Sequence, residues 1–167
     1  MLQDIRVQAA RAKRWLTLLL GCAACVFSLK AGELAVGDAV PVFSARDQFA
    51  NEFHFQAGLR FLLLGFDMGA SKAANLKLAA LGPGWLEKQG AVYVLDIHSM
   101  PAIARVFALP KFRKYPHRII LAEAESLLAP FPRQPERFTV LVLTPTGKIK
   151  EIRFWNPASE ALAARLN

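Results

Sequence analysis

The side chains able to do chemistry in this chain are few and far apart. Two cysteines, Cys22 and Cys25, both fall within the first 31 residues. After the apolar run Arg60 to Phe66 comes Asp67-Met68-Gly69-Ala70-Ser71-Lys72. A desolvated lysine can serve a serine as base, but adjacent helical residues point about 100° apart, which argues against a Ser71–Lys72 nucleophile pair. Asp67 stands where a helix N-cap belongs, with contact to a bound ligand as its other reading. Met68 reads as packing rather than as a metal ligand. Asp96 and His98, at i and i+2 on a strand end, can face one side and form a carboxylate–imidazole pair, against a plainer structural or solvated reading. The histidines are His54, His98 and His117, so a metal centre would have to gather carboxylates from distant loops, and no metal is expected. A glycine-rich phosphate loop and a His-Glu-x-x-His pattern are both missing, so no cofactor is expected.

The strongest concentration of charge is Lys111-Phe112-Arg113-Lys114-Tyr115-Pro116-His117-Arg118, where basic and aromatic residues interleave. A solvated loop competes here with contact to an acidic partner, a lipid headgroup or another phosphate. The run follows the second long helix, away from Met68 and Ser71, so binding through Lys111, Arg113 and Lys114 would use a separate surface. Pro130, Pro132 and Pro135 with Phe131 read as an exposed apolar edge, set there either by loop rigidity or for docking.

A chain of 167 residues is a one-domain length. With 54% hydrophobic and 20% charged residues, it is too apolar for a disordered chain and too punctuated by charge for a polytopic membrane protein. Its first 14 residues carry Arg6, Arg11, Lys13 and Arg14 against Asp4, and the apolar run Trp15 to Leu29 ends at Lys30. A membrane helix needs about 20 apolar residues, so this segment reads as a secretory signal peptide, residues 1–31, cleaved after Ala31. Leu19-Leu20-Gly21-Cys22 also resembles a lipobox, which leaves lipidation at Cys22 as an alternative. Residues 32–167 then hold 16 basic and 12 acidic residues, a net +4, and no cysteine. That charge suits weak contact with an anionic membrane surface and gives no reason to invoke nucleic acid.

The elements that must position these residues follow from apolar patterning. Val42-Phe43-Ser44 and Phe53-His54-Phe55, around the polar turn Asp47 to Asn51, predict an N-terminal hairpin. Arg60 to Phe66 predicts a strand buried on both faces and Met68 to Leu81 a helix, broken by Gly82-Pro83-Gly84. A turn at Trp85 to Lys88 and a strand from Ala91 to Ile97 complete a right-handed β-α-β unit. Ser99 is the expected cap, and Pro101 the first turn, of a helix through Leu109 that Pro110 stops. Arg118 to Ala124 predicts a short strand and Leu127 to Pro135 an irregular loop. Phe138 to Leu143 and Lys148 to Trp155 form a hairpin across Thr144-Pro145-Thr146-Gly147. Asn156 and Pro157 then start a closing helix, Ala158 to Leu166.

This order resembles the thioredoxin-like superfamily, in particular the branch of peroxiredoxins, the alkyl hydroperoxide reductase/thiol-specific antioxidant group, and periplasmic thioredoxins of the cytochrome-maturation kind. Gly37-Asp38-Ala39-Val40-Pro41 with Asp47-Gln48, the strand Val92 to Asp96, and Val140-Leu141-Val142-Leu143-Thr144-Pro145-Thr146-Gly147-Lys148-Ile149 carry the resemblance. It implies a three-layer α/β sandwich around a central mixed sheet, with an N-terminal β-hairpin, over residues 32–167. It also implies a redox site where the first core strand meets the long helix, since the helix dipole and free N–H groups there stabilise a thiolate. Aligned with Trp-Cys-x-x-Cys-Lys, however, Met68 and Ser71 replace both cysteines. The peroxiredoxin motif Pro-x-x-x-Thr-x-x-Cys meets Phe61 and Gly65 in place of its proline and threonine. Phe138, between Arg137 and Thr139, stands at the cis-proline.

The expectation is therefore an exported, non-catalytic thioredoxin-like protein that binds an envelope partner or small ligand. Asp67, Met68, Ser71, Lys72 and Phe138 mark the degenerate redox positions, and Asp96, His98, Lys111, Arg113, Lys114 and Arg137 are candidate contacts. The alternative is a thiol-disulfide or peroxide oxidoreductase, which would have to use Cys22 or Cys25.

Overall fold

A computed structural model describes residues 32–166. The expected signal segment, residues 1–31 with Cys22, Cys25 and the cleavage site, lies outside the described residues. Seven strands make one mixed sheet in the order β2-β1-β5-β4-β3-β6-β7. They are β1 (Ser44–Asp47), β2 (Glu52–His54), β3 (Phe61–Gly65), β4 (Ala91–Asp96), β5 (Ile120–Ala122), β6 (Phe138–Leu143) and β7 (Ile149–Trp155). The helices are α1 (Met68–Leu81), α2 (Trp85–Lys88), α3 (Ala102–Phe112), α4 (Glu125–Leu128) and α5 (Ala163–Leu166).

The apolar run at β3 is buried because it is central: β4 pairs with it in parallel, Leu62 beside Val92, and β6 antiparallel, Leu62 beside Leu141. Its side chains alternate between two cores. Phe61 and Leu63 join Ala70, Ala74 and Leu78 of α1, Phe112 of α3 and Leu162 and Leu166 near the C-terminus. Leu62 and Leu64 join Val40, Phe55, Leu128, Phe131 and Ile149 on the opposite face. Since β3, β4 and β5 are parallel and consecutive in the sheet, α1 and α3 cross over with the same hand and pack side by side.

The N-terminal hairpin is organised by Asp47. Its carboxylate accepts from the backbone N–H groups of Phe49 and Asn51 and from Arg118 Nε at 3.0 Å, tying the turn to the residues before β5. These donors outweigh the cost of burial and hold its pKa below the usual value. At the other edge, Ala39 bridges to Lys148, and Ile149 donates to the Asp38 carbonyl.

The ends of two helices differ most from the sequence reading. Pro110 does not stop α3, which continues to Phe112; proline costs little in a last turn where the unpaired carbonyl, at exposed Val106, can be hydrated. Ser99 does not cap it either, because Pro101 takes that place. The closing helix shrinks to Ala163–Leu166 because Glu160 folds back, accepting from Asn156 N and pairing with Arg165 at 2.7 Å. Within the expected irregular loop, Phe131 and Pro132 are buried, so the predicted exposed apolar edge does not form.

Gly65 ends β3 without a side chain for a steric reason. A Cβ there would lie 2.4 Å from the Phe138 ring and 3.1 Å from Leu95. Gly65→Ala is expected to lower stability by about 1–3 kcal/mol through overpacking. Urea unfolding of Gly65→Ala, Phe138→Leu and the double variant checks it: the cost of the alanine should shrink when the ring is gone.

Candidate functional site

At the end of β3 the chain turns into α1 through Asp67. Its carboxylate accepts the Ala70 N–H at 2.8 Å, and its carbonyl accepts Ser71 Oγ–H. The N-cap reading of Asp67 holds, and the positive end of the helix therefore already faces a carboxylate. Met68 is exposed, whereas Ser71 is buried with its hydroxyl turned back to the cap. Lys72 is exposed and the Ser71 hydroxyl is spent on the Asp67 carbonyl, so the two do not form a nucleophile pair. Phe138 fills the core: its ring stacks on Tyr93 at 5.4 Å and tilts against Trp155 at 5.6 Å. Among the described residues no peptide bond is cis.

Between α1 and α3 lies a cleft of about 420 Å³. Met68, Ser71, Lys72 and Asn75 form its α1 wall, and Ala104, Phe107, Ala108 and Lys111 its α3 wall. Leu95, Asp96 and Met100 close it at the strand end, Phe112 and Tyr115 at the other. Lys111 thus shares the cleft with Met68 and Ser71, which corrects the expectation of a separate basic surface: parallel crossovers bring the last turn of α3 alongside α1. The rest of the basic run divides between surface and core. Arg113 Nε donates to the Gln48 carbonyl at 2.9 Å, while Phe112 and His117 are buried. Lys114 is exposed on the turn beyond.

Asp96 and His98 do not form the carboxylate–imidazole pair. Asp96 Oδ1 accepts the backbone N–H groups of His98 and Ser99, which turns the imidazole toward the Glu123 carbonyl at 3.2 Å and Glu125 at 3.9 Å. Arg137 is half-buried before β6 and does not line the cleft, and Thr139 is buried with its hydroxyl donating to the Pro132 carbonyl. Among the described residues no group of three or more His, Cys, Asp or Glu side chains could hold a metal ion.

Sequence reasoning missed the polar floor behind the cleft. Asn75 is buried on α1 and its Oδ1 lies 2.9 Å from His117 Nε2. The Nε2–H tautomer suits this contact and leaves His117 Nδ1 without a partner. The Tyr93 hydroxyl, beside Ser71 and Asn75, is also buried without a hydrogen bond, and burial raises its pKa far above the usual value. Gln48 anchors this region, donating to the His117 carbonyl and accepting from Ile119 N–H, both at 2.8 Å. Beside the α3 wall the sequence did leave a signal: Ile103, Val106, Phe107 and Pro110 follow the i, i+3, i+4, i+7 spacing of an outward apolar stripe, which meets the cleft at Phe107.

A central mixed sheet of this order, with helices on both faces and the long helix starting directly after its central strand, is a thioredoxin-like fold. Solved structures share it. A putative thiol:disulfide interchange protein DsbE from Chlorobium tepidum superposes with a TM-score of 0.56 at 13% identity, over 80% of this chain and 96% of that one. The thioredoxin domain of a thiol-disulfide oxidoreductase from Bacteroides vulgatus gives 0.53 at 14% identity, over 81% and 100%. Peroxiredoxin Q from Xanthomonas campestris gives 0.52 at 17% identity, over 77% and 97%. No family model and no curated protein matches the sequence. At these identities the likeness is one of fold.

Burial lowers the His117 pKa from 6.5 to about 4. The unfolded chain therefore takes up the proton first as pH falls. The stability tied to neutral His117 is complete above about pH 6.5 and is lost between there and about pH 4, amounting to about 3 kcal/mol. Urea unfolding at pH 7 and pH 4 should show the native protein losing more stability than His117→Gln by that order; equal losses would remove His117 as the cause.

Proposed function

We propose that the chain is an exported, non-catalytic thioredoxin-like protein that acts as a binding or accessory factor in the cell envelope, using the cleft between α1 and α3. The observation that carries this reading is the first turn of α1. The positions that the fold resemblance assigns to two sulfhydryls hold an exposed Met68 and a buried Ser71 hydrogen-bonded to its own cap, and residues 32–167 contain no cysteine. Without a thiolate the site has no electron pair to deliver to a disulfide or peroxide. What remains is an apolar-walled recess with a few polar groups, the usual make-up of a binding site. Export rests on the basic, then apolar, first 31 residues, with a periplasmic location as its consequence and a lipid anchor at Cys22 as a variant of it.

The rival reading, a thiol-disulfide or peroxide oxidoreductase, is favoured by the names of the structures that share the fold. It needs Cys22 or Cys25 as the reacting thiol. Insulin-disulfide reduction with dithiothreitol and peroxide consumption, measured on the native protein and on Cys22→Ser/Cys25→Ser, separate the two. Turnover no higher than the protein-free control is expected in both assays. Turnover abolished by the cysteine replacements would overturn the non-catalytic reading.

A further inference from the structure

The α1/α3 cleft is more specific than a generic recess. Its walls are apolar over most of their surface: Met68, Leu95, Met100, Ala104, Phe107 and Ala108. Small residues on α3, Ala104 and Ala108, open the space, and the large ones sit at its lip. Met68 and Phe107 are 60% and 64% exposed although both line the cleft, so each keeps apolar surface available to an occupant. The recess runs along α3 from Ala104 to Lys111, two helical turns or about 10 Å.

Charge narrows the choice of occupant. Lys72 lines one wall and Lys111 the other, and among the described residues neither ammonium group has a hydrogen-bond or ion-pair partner. The single acid in the lining, Asp96, stands at the strand end and spends Oδ1 on two backbone N–H groups. The helical walls have their backbone groups bonded internally and offer no strand edge to an extended peptide. A narrow apolar trough with unpaired ammonium groups on both sides matches a molecule that is apolar along its length and negative at its head.

We infer that this cleft binds a single-chain anionic amphiphile, with the alkyl chain lying between α1 and α3 and a carboxylate head met by Lys72 and Lys111. The inference deepens the binding reading given above and rests on it. The two fail differently: thiol-dependent turnover would sink the non-catalytic reading whatever the cleft holds, and a cleft that takes no amphiphile would leave that reading standing.

Calorimetric titration of the purified protein in detergent-free buffer with dodecanoate, below its micelle concentration, tests it. Saturable binding at one site is expected, with dodecyltrimethylammonium and butyrate bound at least tenfold more weakly. Lys72→Glu/Lys111→Glu, both surface positions, should weaken dodecanoate about tenfold or more. Ala108→Trp should abolish it by filling the trough, and Phe107→Ala, at an exposed position, provides a second apolar variant expected to weaken it severalfold. Circular dichroism and the urea midpoint check that each variant is folded. No saturation with the native protein, equal affinity for the cationic amphiphile, or unchanged affinity in the lysine variant would overturn the proposal. Vesicles of anionic phospholipid examine a bilayer as the alternative source of the same chemistry. If native protein and Ala108→Trp sediment with them equally while dodecanoate fails to saturate, the outward stripe Ile103, Val106 and Phe107 is responsible and the cleft assignment falls.

Discussion

No side chain of β3 reaches solvent, and that one constraint sets the layout of the domain. Five consecutive residues, Phe61 to Gly65, are enclosed by strands on both edges and by apolar layers on both faces. Each fully buried leucine there contributes about 1.5–3 kcal/mol relative to exposure. The alternation of Phe61 and Leu63 against Leu62 and Leu64 assigns α1 and α3 to one layer and the Val40, Phe55 and Phe131 cluster to the other. Once α1 must leave the end of this strand and α3 the end of its parallel neighbour, the two helices lie beside each other. The cleft between them is a consequence of sheet order, and its chemistry comes from the residues on the two facing walls.

At the strand end the chain satisfies a helix N-terminus without a thiolate. The free N–H groups and positive dipole that lower a thiol pKa in a redox site here meet the Asp67 carboxylate and leave Ser71 bonded to the cap carbonyl. On the neighbouring strand Phe138 is wholly buried. It contributes a ring to the column Tyr93, Phe138 and Trp155, and the Cβ-free surface of Gly65 is what lets that ring approach β3. At both positions the side chains serve capping and packing, which ties this end of the sheet to the first turn of α1 and to the aromatic column.

Most of the architecture was legible because it depends on local rules. The alternating hairpin strands, the apolar runs too short for helices, Asp67 before the long helix and the Thr144 to Gly147 turn each specify an element through neighbours in sequence. The misreadings arose where tertiary contacts decide. Pro110 is harmless because the helix is about to end and its orphaned carbonyl is solvent-side. For Asp96 the spacing left a pairing with the His98 ring and a plainer structural role both open, and the contacts with backbone N–H groups decide for the latter. The recess between α1 and α3 was half legible: Met68, Ser71 and Lys72 could be found from their place after the strand. Lys111, Asn75 and Tyr115 join them only through helix packing. His117, read as part of a basic surface run, is buried because Gln48 and Asn75 hold its backbone and ring.

The two ends of the sheet carry a further implication for how the molecule meets others of its kind. β2 is only three residues long and presents Glu52 and His54, while the start of β7 is overlaid by Asp38 and Ala39 and the rest carries Lys150, Glu151 and Arg153. Short, charged or covered margins discourage strand-to-strand growth. A crowded solution of this protein would therefore be protected from fibrillar stacking at its sheet margins.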